Sequence, residues 1–405
     1  EASEQRDWRE RDATSPAGSA PIFRIVVTGG PCAGKSTGMN VIAERLRSRG
    51  FLVFMVPEAA TLLFTGGIGL NLLSAEQSQL VFQASLLRTQ LALENAFTAV
   101  ACEARKPAVL LCDRGTMDGA AYMEPLLWKR MLAENGWSDA ALRDDRYDAV
   151  LHLVTAADGK REFYTLANNL ARSEPPEQAI ELDRKLRHAW LGHRSLRVID
   201  NATNFDGKIE RVFRAVAHTV GLPHSTQNLR RKLLLSRVDH EALSVVPNVQ
   251  RFDVAQTVLR RTPQADSFSD EEWVRRRASV GGGATHFSHT IRRAGRWAGD
   301  GRVELKRHLT EREYLALLAF ADPAYAEVRI SRFCLLFADR VFIMDEYLDL
   351  GVTLLRAQCE SQTSEELQLP PFVKVARDVS DDVAYTVRAL AARKKRSESV
   401  PADER

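Results

Sequence analysis

The chain carries, directly after an apolar run at 22–27, the segment Gly29-Gly30-Pro31-Cys32-Ala33-Gly34-Lys35-Ser36-Thr37. This segment fits the pattern G-x-x-x-x-G-K-[ST], and the residues that follow it, 39–49, have the apolar spacing of an amphipathic helix. Glycines let backbone N–H groups point at phosphate oxygens, and the following helix adds the positive end of its dipole. The strand–loop–helix context therefore predicts a phosphate-binding loop over 29–37, with Lys35 on the β- and γ-phosphates and Ser36 on Mg²⁺.

Length and composition limit the class of protein. At 405 residues the chain is too long for one core, so we expect two domains. A net charge of only +3 argues against a general nucleic-acid binder. Five scattered cysteines without a C-x-x-C pair fit reduced thiols and not a zinc site. No run of 18 apolar residues is present, so we expect no membrane span and a cytoplasmic protein, with peripheral membrane contact left open.

Hydrophobic patterning divides the chain near 221–223. Before that point five short apolar runs alternate with helical stretches, which predicts an α/β domain with a parallel sheet covered on both faces. After it, about eight runs alternate with period two, which predicts an antiparallel barrel. We expect a disordered arm over 1–20, a P-loop nucleotide-binding domain over 21–222, a barrel domain over 228–392 and a basic disordered tail over 393–405.

Two carboxylates at strand ends are candidate catalytic groups. Asp113 follows the apolar strand at 108–112, where it could hold Mg²⁺ or act as a base, and a helix cap is the alternative. Glu58 follows the strand at 52–56, where it could face a phosphate acceptor, and a charge at a helix N-terminus is the alternative. Both carboxylates belong to the edge of the sheet at which ligands bind in this architecture.

Two further residues are candidates for nucleotide contacts in the first domain. Arg172 lies in a polar segment after the fourth strand and could touch a γ-phosphate, although a surface arginine is the alternative. Asn201 follows the fifth strand, where the base is expected, and an Asx turn is the alternative. No N-K-x-D element is present, so the residues do not choose between GTP and ATP.

Basic residues recur along the strands of the second domain. Residues two positions apart in a strand lie on the same face of the sheet. Because one face of a barrel points inward, several of these basic side chains could converge on a phosphate-rich anion. Exposed arginines are the alternative. The candidate anion- or lipid-binding residues are Arg275, Arg277, Lys306, Arg329 and Arg332.

Several segments resemble one known family. The loop at 28–36, the VPEAA at 56–60 and the CDRGTMD at 112–118 are similar to a NadR/TRPL-translocation-defect-like P-loop domain. The VELK at 303–306, the LTEREY at 309–314 and the LPPF at 369–372 are similar to the CYTH, or triphosphate-tunnel, class. In this order, over about 22–392, the two halves resemble the TRPL translocation defect protein family.

The resemblance implies a GTP-binding regulatory protein with Mg²⁺ that also binds acidic phospholipids, including phosphoinositides, in membrane trafficking. The tunnel class carries E-x-E-x-K on its first strand, but here Ala255 and Gln256 follow Asp253; Arg356 and Gln358 occupy the late E-x-E. These departures argue against triphosphatase activity. An ATP-dependent kinase of the nucleoside or ribosylnicotinamide type is the second hypothesis, a metal-dependent triphosphatase is the third, and a slow GTPase with Arg172 as a finger stays open.

Overall fold

A computed structural model describes residues 20–164, 175–222, 229–260, 271–281, 284–294, 302–338, 340–359 and 367–398. The chain forms two compact units, which we call unit 1 (Glu1–His224) and unit 2 (Ser225–Arg405). Each unit is described by itself. No helix in the described ranges is long and apolar enough to span a membrane.

Unit 1 is built on a five-stranded parallel sheet in the order β2-β3-β1-β4-β5. Its strands are short runs of β-branched residues and leucine, as expected for strands that are buried on both faces. This confirms the α/β class predicted from the sequence. The strands are β1 (Ile22–Gly29), β2 (Leu52–Val56), β3 (Ala108–Asp113), β4 (Ala149–Leu153) and β5 (Leu196–Ile199).

In the described part of unit 1, six α-helices accompany this sheet. Two of them, α1 and α6, bury Met39 and Val216 against one face of the sheet, while Val26 and Leu110 on the other face are equally inaccessible. Because β1 lies between β3 and β4, the chain after β1 opens at the point where strand order reverses, which is where open α/β sheets bind ligands. The helices are α1 (Lys35–Arg47), α2 (Ala59–Thr65), α3 (Glu76–Ala104), α4 (Pro125–Glu134), α5 (Pro176–Ala189) and α6 (Phe205–Thr219).

Unit 2 contains a nine-stranded antiparallel sheet in the order β10-β9-β8-β7-β11-β12-β13-β6-β14. Within the described ranges the ladders run from β10 to β14, which confirms an antiparallel sheet, and closure into the expected barrel stays a prediction. The strands are β6 (Leu229–Val238), β7 (Gln250–Val258), β8 (Glu271–Ser279), β9 (His286–Ala294), β10 (Arg302–Leu309), β11 (Val328–Phe337), β12 (Arg340–Tyr347), β13 (Val352–Cys359) and β14 (Val373–Asp378).

The two faces of this sheet differ in character. One face is apolar: Leu335, Phe342 and Leu355 form a core with Leu243 of α7. The strand register places Arg275 and Arg277 of β8 on the other face, which we call the polar face. The helices of unit 2 are α7 (His240–Ser244), α8 (Glu311–Leu318) and α9 (Val387–Glu398), and α8 begins with the capping box of Thr310 and Glu313.

Candidate nucleotide-binding site and anion-binding face

The loop between β1 and α1 has the backbone that its glycines permit. Gly34 adopts φ +84°, and a Cβ added there would lie 2.5 Å from Cε2 of Phe205. A Cβ added to Gly29 would lie 2.0 Å from the carbonyl oxygen of Leu153. Neither position tolerates a side chain, and α1 begins directly after the loop at Lys35. The loop therefore presents the N-terminus of a 13-residue helix at the carboxyl edge of the sheet.

Lys35 closes this loop upon itself. Its Nζ donates hydrogen bonds to the carbonyl oxygens of Gly29, at 3.0 Å, and Gly30, at 3.2 Å. Burial and the neighbouring Arg114 guanidinium lower the pKa of Lys35 to about 8, although Asp113 and Glu58 act in the opposite direction. The ammonium group of Lys35 thus lies among charges from the ends of β2 and β3, where a phosphate could replace the two carbonyl contacts.

Asp113, the last residue of β3, supplies an acidic oxygen that lacks a hydrogen bond. Its Oδ1 is buried and has no hydrogen-bond partner among the described residues. Burial raises the pKa of Asp113 although Lys35 lowers it, and Glu58 adds to the rise. A hard cation satisfies such an oxygen, and Mg²⁺ prefers carboxylate and hydroxyl ligands. Asp113 and the exposed hydroxyl-bearing Ser36 therefore fit the magnesium role expected of them.

Glu58 and Arg114 join the ends of β2 and β3. The Nε of Arg114 donates to Oε1 of Glu58 at 2.8 Å, and the hydroxyl of Thr61 donates to Oε2 of Glu58 at 2.6 Å. Burial raises the pKa of Glu58, but Arg114, Thr61 and Lys35 outweigh burial and hold that pKa below its ordinary value. Glu58 is therefore an ionised carboxylate beside the loop, as a group that orients a hydroxyl would be.

A second acid of the CDRGTMD segment holds this edge together. Asp118 is buried and accepts hydrogen bonds from Thr28 Oγ1, at 2.9 Å, and Trp190 Nε1, at 2.6 Å. Its Oδ2 lies 3.8 Å from a terminal nitrogen of Arg114. Sequence reasoning assigned no role to Asp118 or Arg114. The signal that could have found them is the CDRGTMD segment itself, which places an arginine and a second acid shortly after the strand-end Asp113.

The phosphate-binding loop is also fastened from β4 and α5. Asp183 Oδ1 accepts from the backbone N–H groups of Gly30, at 2.8 Å, and Thr155, at 3.1 Å, and contacts His152 Nε2 at 3.0 Å. Its Oδ2 lies 3.2 Å from Nε of Arg187. No sequence pattern marks Asp183, because its partners lie about 30 and about 150 positions away.

Asn201 does not have the role expected of it. Its amide Nδ2 donates to the carbonyl oxygens of Thr155, at 2.8 Å, and Asp158, at 2.7 Å, and its Oδ1 accepts from Lys208 Nζ at 2.7 Å. Both N–H groups of the side-chain amide therefore donate to backbone carbonyls, which argues against hydrogen bonds from this amide to the base of a nucleotide. Arg172 lies outside the described residues.

On the polar face of unit 2 the register brings three of the five expected cations together. Arg275 lies opposite Gln256, Arg277 opposite Val254, and Arg332 opposite Phe252. These positions share one face because β7 presents residues 252, 254 and 256 to the same side. The side chains of Arg277 and Arg332 are buried, and that of Arg275 donates to Gln256 Oε1 at 2.8 Å.

Asp345 balances part of this positive charge. Its carboxylate accepts from Arg332 Nε at 2.6 Å and from Arg356 at 2.5 Å. Burial raises the pKa of Asp345, but Arg332 and Arg356 outweigh it, and Arg275 also contributes, so the pKa lies below its ordinary value. Arg275 lies on β8 and Asp345 on β12, with β7 and β11 between them, yet the charge of Arg275 still helps to lower the pKa of Asp345.

Two of the five cations expected in the anion site, Arg329 and Lys306, are not among the side chains that the structure places on the polar face. Arg329 lies opposite Ala255, on the apolar side of the register, is 68% exposed and pairs with Glu327 at 3.3 Å. Three positions separate Arg329 from Arg332, and an odd spacing in a strand changes the face. Lys306 is placed opposite Thr290 in β10, while its side chain lies outside what the structure describes. Asp253 shares the face of Ala255 and therefore points away from the polar face.

Comparison with known proteins supports the assignment of unit 1. Residues 24–208 match the family model described as an AAA domain. Together with the loop geometry, this match defines unit 1 as a P-loop-type nucleotide-binding domain. No match was found among curated proteins.

Solved structures also show a partial likeness. The crystal structure of the inorganic triphosphatase NE1496 is 16% identical, covers 42% of this chain and 97% of its own, with a TM-score of 0.29. A second structure of NE1496, described as a hypothetical protein, is 16% identical, covers 41% of this chain and 98% of its own, with a TM-score of 0.28. Likeness at this level carries no conclusion about the activity of this chain.

Proposed function

We propose that this chain is a nucleotide-controlled regulatory protein, which binds GTP with Mg²⁺ in unit 1 and an anionic phosphate ligand, such as a phosphoinositide headgroup, on the polar face of unit 2. The observation that carries the first half is the loop of Gly29–Thr37 with the unpartnered Asp113 Oδ1 beside Lys35. Asp113 and Ser36 would hold Mg²⁺, which neutralises phosphate charge when bound.

The second half rests on charge. The polar face carries Arg275, Arg277, Arg332 and Arg356, and Asp345 pairs with two of them, Arg332 and Arg356. A face with this balance favours binding of phosphates over their metal-dependent hydrolysis, because hydrolysis needs carboxylates that are available to metal. Peripheral contact with membranes and a role in trafficking belong to this proposal.

The first test is titration calorimetry of nucleotide-free protein with GTP and with ATP, each with Mg²⁺. The proposal expects tighter binding of GTP, and Lys35→Ala should abolish the signal. Equal affinity or a preference for ATP would contradict the GTP assignment. Absence of binding of either nucleotide would overturn the function proposed for unit 1.

The second test uses vesicles of phosphatidylcholine with and without a phosphoinositide. Replacing both Arg275 and Arg277 by alanine should weaken binding to the phosphoinositide vesicles. Arg276→Ala is the matched control, because Arg276 lies between them in the strand but is exposed and faces the other side, opposite Ala255. Equal effects of the two variants would mean that binding follows general charge and not the polar face.

A kinase of the nucleoside or ribosylnicotinamide type is the second candidate, and Glu58 is the observation that favours it. An ionised carboxylate beside Lys35 and Asp113 is suited to orienting an acceptor hydroxyl. A screen of nucleosides and ribosylnicotinamide with ATP tests this function. The kinase function would replace the regulatory one if the protein transfers phosphate from ATP to such an acceptor, and if Glu58→Gln loses this transfer while it still binds the nucleotide.

A further inference from the structure

The two sides of the phosphate-binding loop differ in the groups that surround them. β3 and β2, on one side of β1, end in the acids Asp113 and Glu58. β4 and β5, on the other side, lead to Thr155 and to the segment 200–204 before α6. The metal and the terminal phosphate belong with the acids, so the nucleoside end of a bound nucleotide extends toward β4 and β5.

Phe205 lies on this second side and touches the loop. It is the first residue of α6, and its Cε2 lies 2.5 Å and its Cζ 3.2 Å from the position of a Cβ on Gly34. The ring is therefore in contact with the backbone at the start of α1, yet the residue is 44% exposed. An aromatic ring that packs one edge on the loop and leaves much of its surface in water offers a flat apolar platform.

The position of Phe205 is fixed by its neighbours. The side chain of Asn204 caps α6 by accepting from the N–H of Gly207 at 2.9 Å. One turn later, Lys208 Nζ donates to the carbonyl oxygen of Val154 and to Asn201 Oδ1, both at 2.7 Å. The cap fixes the start of α6, and Lys208 ties its first turn to Val154 at the end of β4, so the ring is preorganised beside the loop.

Another exposed phenylalanine of unit 1 shows the contrast. Phe64 stacks on Phe82 with ring centroids 5.5 Å apart, so its face is occupied by a neighbour. In the described part of the chain, Phe205 has no ring contact of this kind. Its exposed surface is thus open to a planar ligand.

We propose that Phe205 forms the nucleoside subsite of unit 1 by stacking on the base of the bound nucleotide. The inference rests on the proposed nucleotide binding of unit 1 and adds the residue that holds the base. Because every nucleobase has a π-face, this stacking contributes affinity for the nucleoside and does not itself select guanine over adenine. Phe205 would thus supply the contact with the base that was expected of Asn201, whose amide already makes other hydrogen bonds.

The experiment is displacement of N-methylanthraniloyl-GTP by GTP and, separately, by inorganic tripolyphosphate, in wild type, Phe205→Leu and Phe205→Trp. The signal that Lys35→Ala abolishes is assigned to the phosphate-binding loop. Leucine keeps apolar packing against Gly34 and removes the aromatic face, while tryptophan keeps the face. We expect Phe205→Leu to weaken GTP by about tenfold or more, in line with the loss of one stacked base. Tripolyphosphate, which has no base, should displace equally well from all three proteins, and Phe205→Trp should bind GTP as wild type does.

Other outcomes overturn the inference in distinguishable ways. Equal weakening of GTP and tripolyphosphate in Phe205→Leu would show that the ring supports only the loop. Unchanged GTP affinity would show that the ring does not touch the base. If wild type binds tripolyphosphate as tightly as GTP, no nucleoside subsite exists. Failure of wild type to bind either ligand would overturn the proposed function itself, and the inference with it.

Discussion

Asp183 Oδ1 lies 2.8 Å from the backbone nitrogen of Gly30, so a carboxylate of α5 accepts a hydrogen bond from the phosphate-binding loop. The same oxygen accepts from Thr155 and contacts His152, and Arg187 approaches the other oxygen. One buried side chain therefore joins β1, β4 and α5. The shape of the loop depends on a residue that lies more than 150 positions after it.

Replacing Asp183 by alanine should destabilise unit 1 and weaken nucleotide binding together. Removal leaves the buried donors of Gly30 and Thr155 without their acceptor and takes a carboxylate away from Arg187, and loss of a buried charge pair typically costs about 3–5 kcal/mol of unfolding free energy. Urea unfolding measures the first effect and nucleotide titration the second. Glu181→Ala is the control, because Glu181 is exposed on the same helix. A loss in the control as large as that in Asp183→Ala would contradict the proposed role of the loop contact.

The low pKa of Lys35 predicts a pH dependence of nucleotide binding. Burial and Arg114 lower that pKa from 10.5 to about 8, so the ammonium loses its proton as pH rises through about 8. Binding to phosphate requires the charged form, and nucleotide affinity should therefore fall between pH 7 and pH 9 while proton uptake accompanies binding at the higher pH. Calorimetry in buffers of different ionisation enthalpy measures both quantities. In Lys35→Gln, affinity should be weak at every pH in this range; a slope like that of wild type would assign the titration to another group.

Asp113→Asn should separate stability from the response to Mg²⁺. Burial and the charge of Glu58 disfavour the ionised carboxylate, so a neutral amide should leave unfolding free energy unchanged or raise it slightly. The gain in nucleotide affinity on adding Mg²⁺, compared with EDTA, should shrink because a carboxylate ligand is lost. Glu58→Gln, in the same cluster, should retain the gain. Full retention of the Mg²⁺ effect in Asp113→Asn would contradict the assignment of Asp113 as a metal ligand.

Much of unit 1 was predictable because its signals are local. The loop Gly29–Thr37 and the five apolar runs each specify their own element, and the structure has them in a parallel sheet. Asp183 was not predictable, since its partners are brought together only by the fold, and the CDRGTMD segment marks Asp118 without indicating its partner Thr28. Asn201 occupied the expected place, yet nothing local shows that three distant groups already engage its amide.

Unit 2 shows the same division between local pattern and register. The alternation of side chains along a strand correctly paired Arg275 with Arg277, because residues two positions apart in one strand lie on the same face. Arg329 was placed with Arg332 although three positions separate them, and the structure puts Arg329 on the other side. Strand β14 was missed altogether. It follows Pro370 and Pro371 and is six residues long, and among the described residues it pairs with β6.

Asp345→Asn should raise anion binding by the polar face while lowering stability. The carboxylate holds Arg332 in a two-bond contact and also accepts from Arg356, so the amide leaves two cations with less compensation. Loss of this buried charge should lower the unfolding free energy by roughly 3 kcal/mol. It should also strengthen binding of phosphoinositide vesicles, because a competing anion is removed from the arginines.

In the wild-type protein, the contribution of the Asp345 carboxylate to the unfolding free energy should depend on pH. The pKa of Asp345 lies below the ordinary 3.8, since Arg332 and Arg356 outweigh the effect of burial. The contribution of Asp345 to stability is therefore complete above the unfolded pKa and is lost as pH falls through the lowered pKa. Glu346→Gln is the matched control, because Glu346 is the next residue of β12, faces the opposite side and pairs with His240 at 3.3 Å. Stronger vesicle binding in Asp345→Asn with no change in Glu346→Gln supports competition for the arginines, whereas weaker binding in Asp345→Asn would show that Asp345 orients the arginines for the ligand.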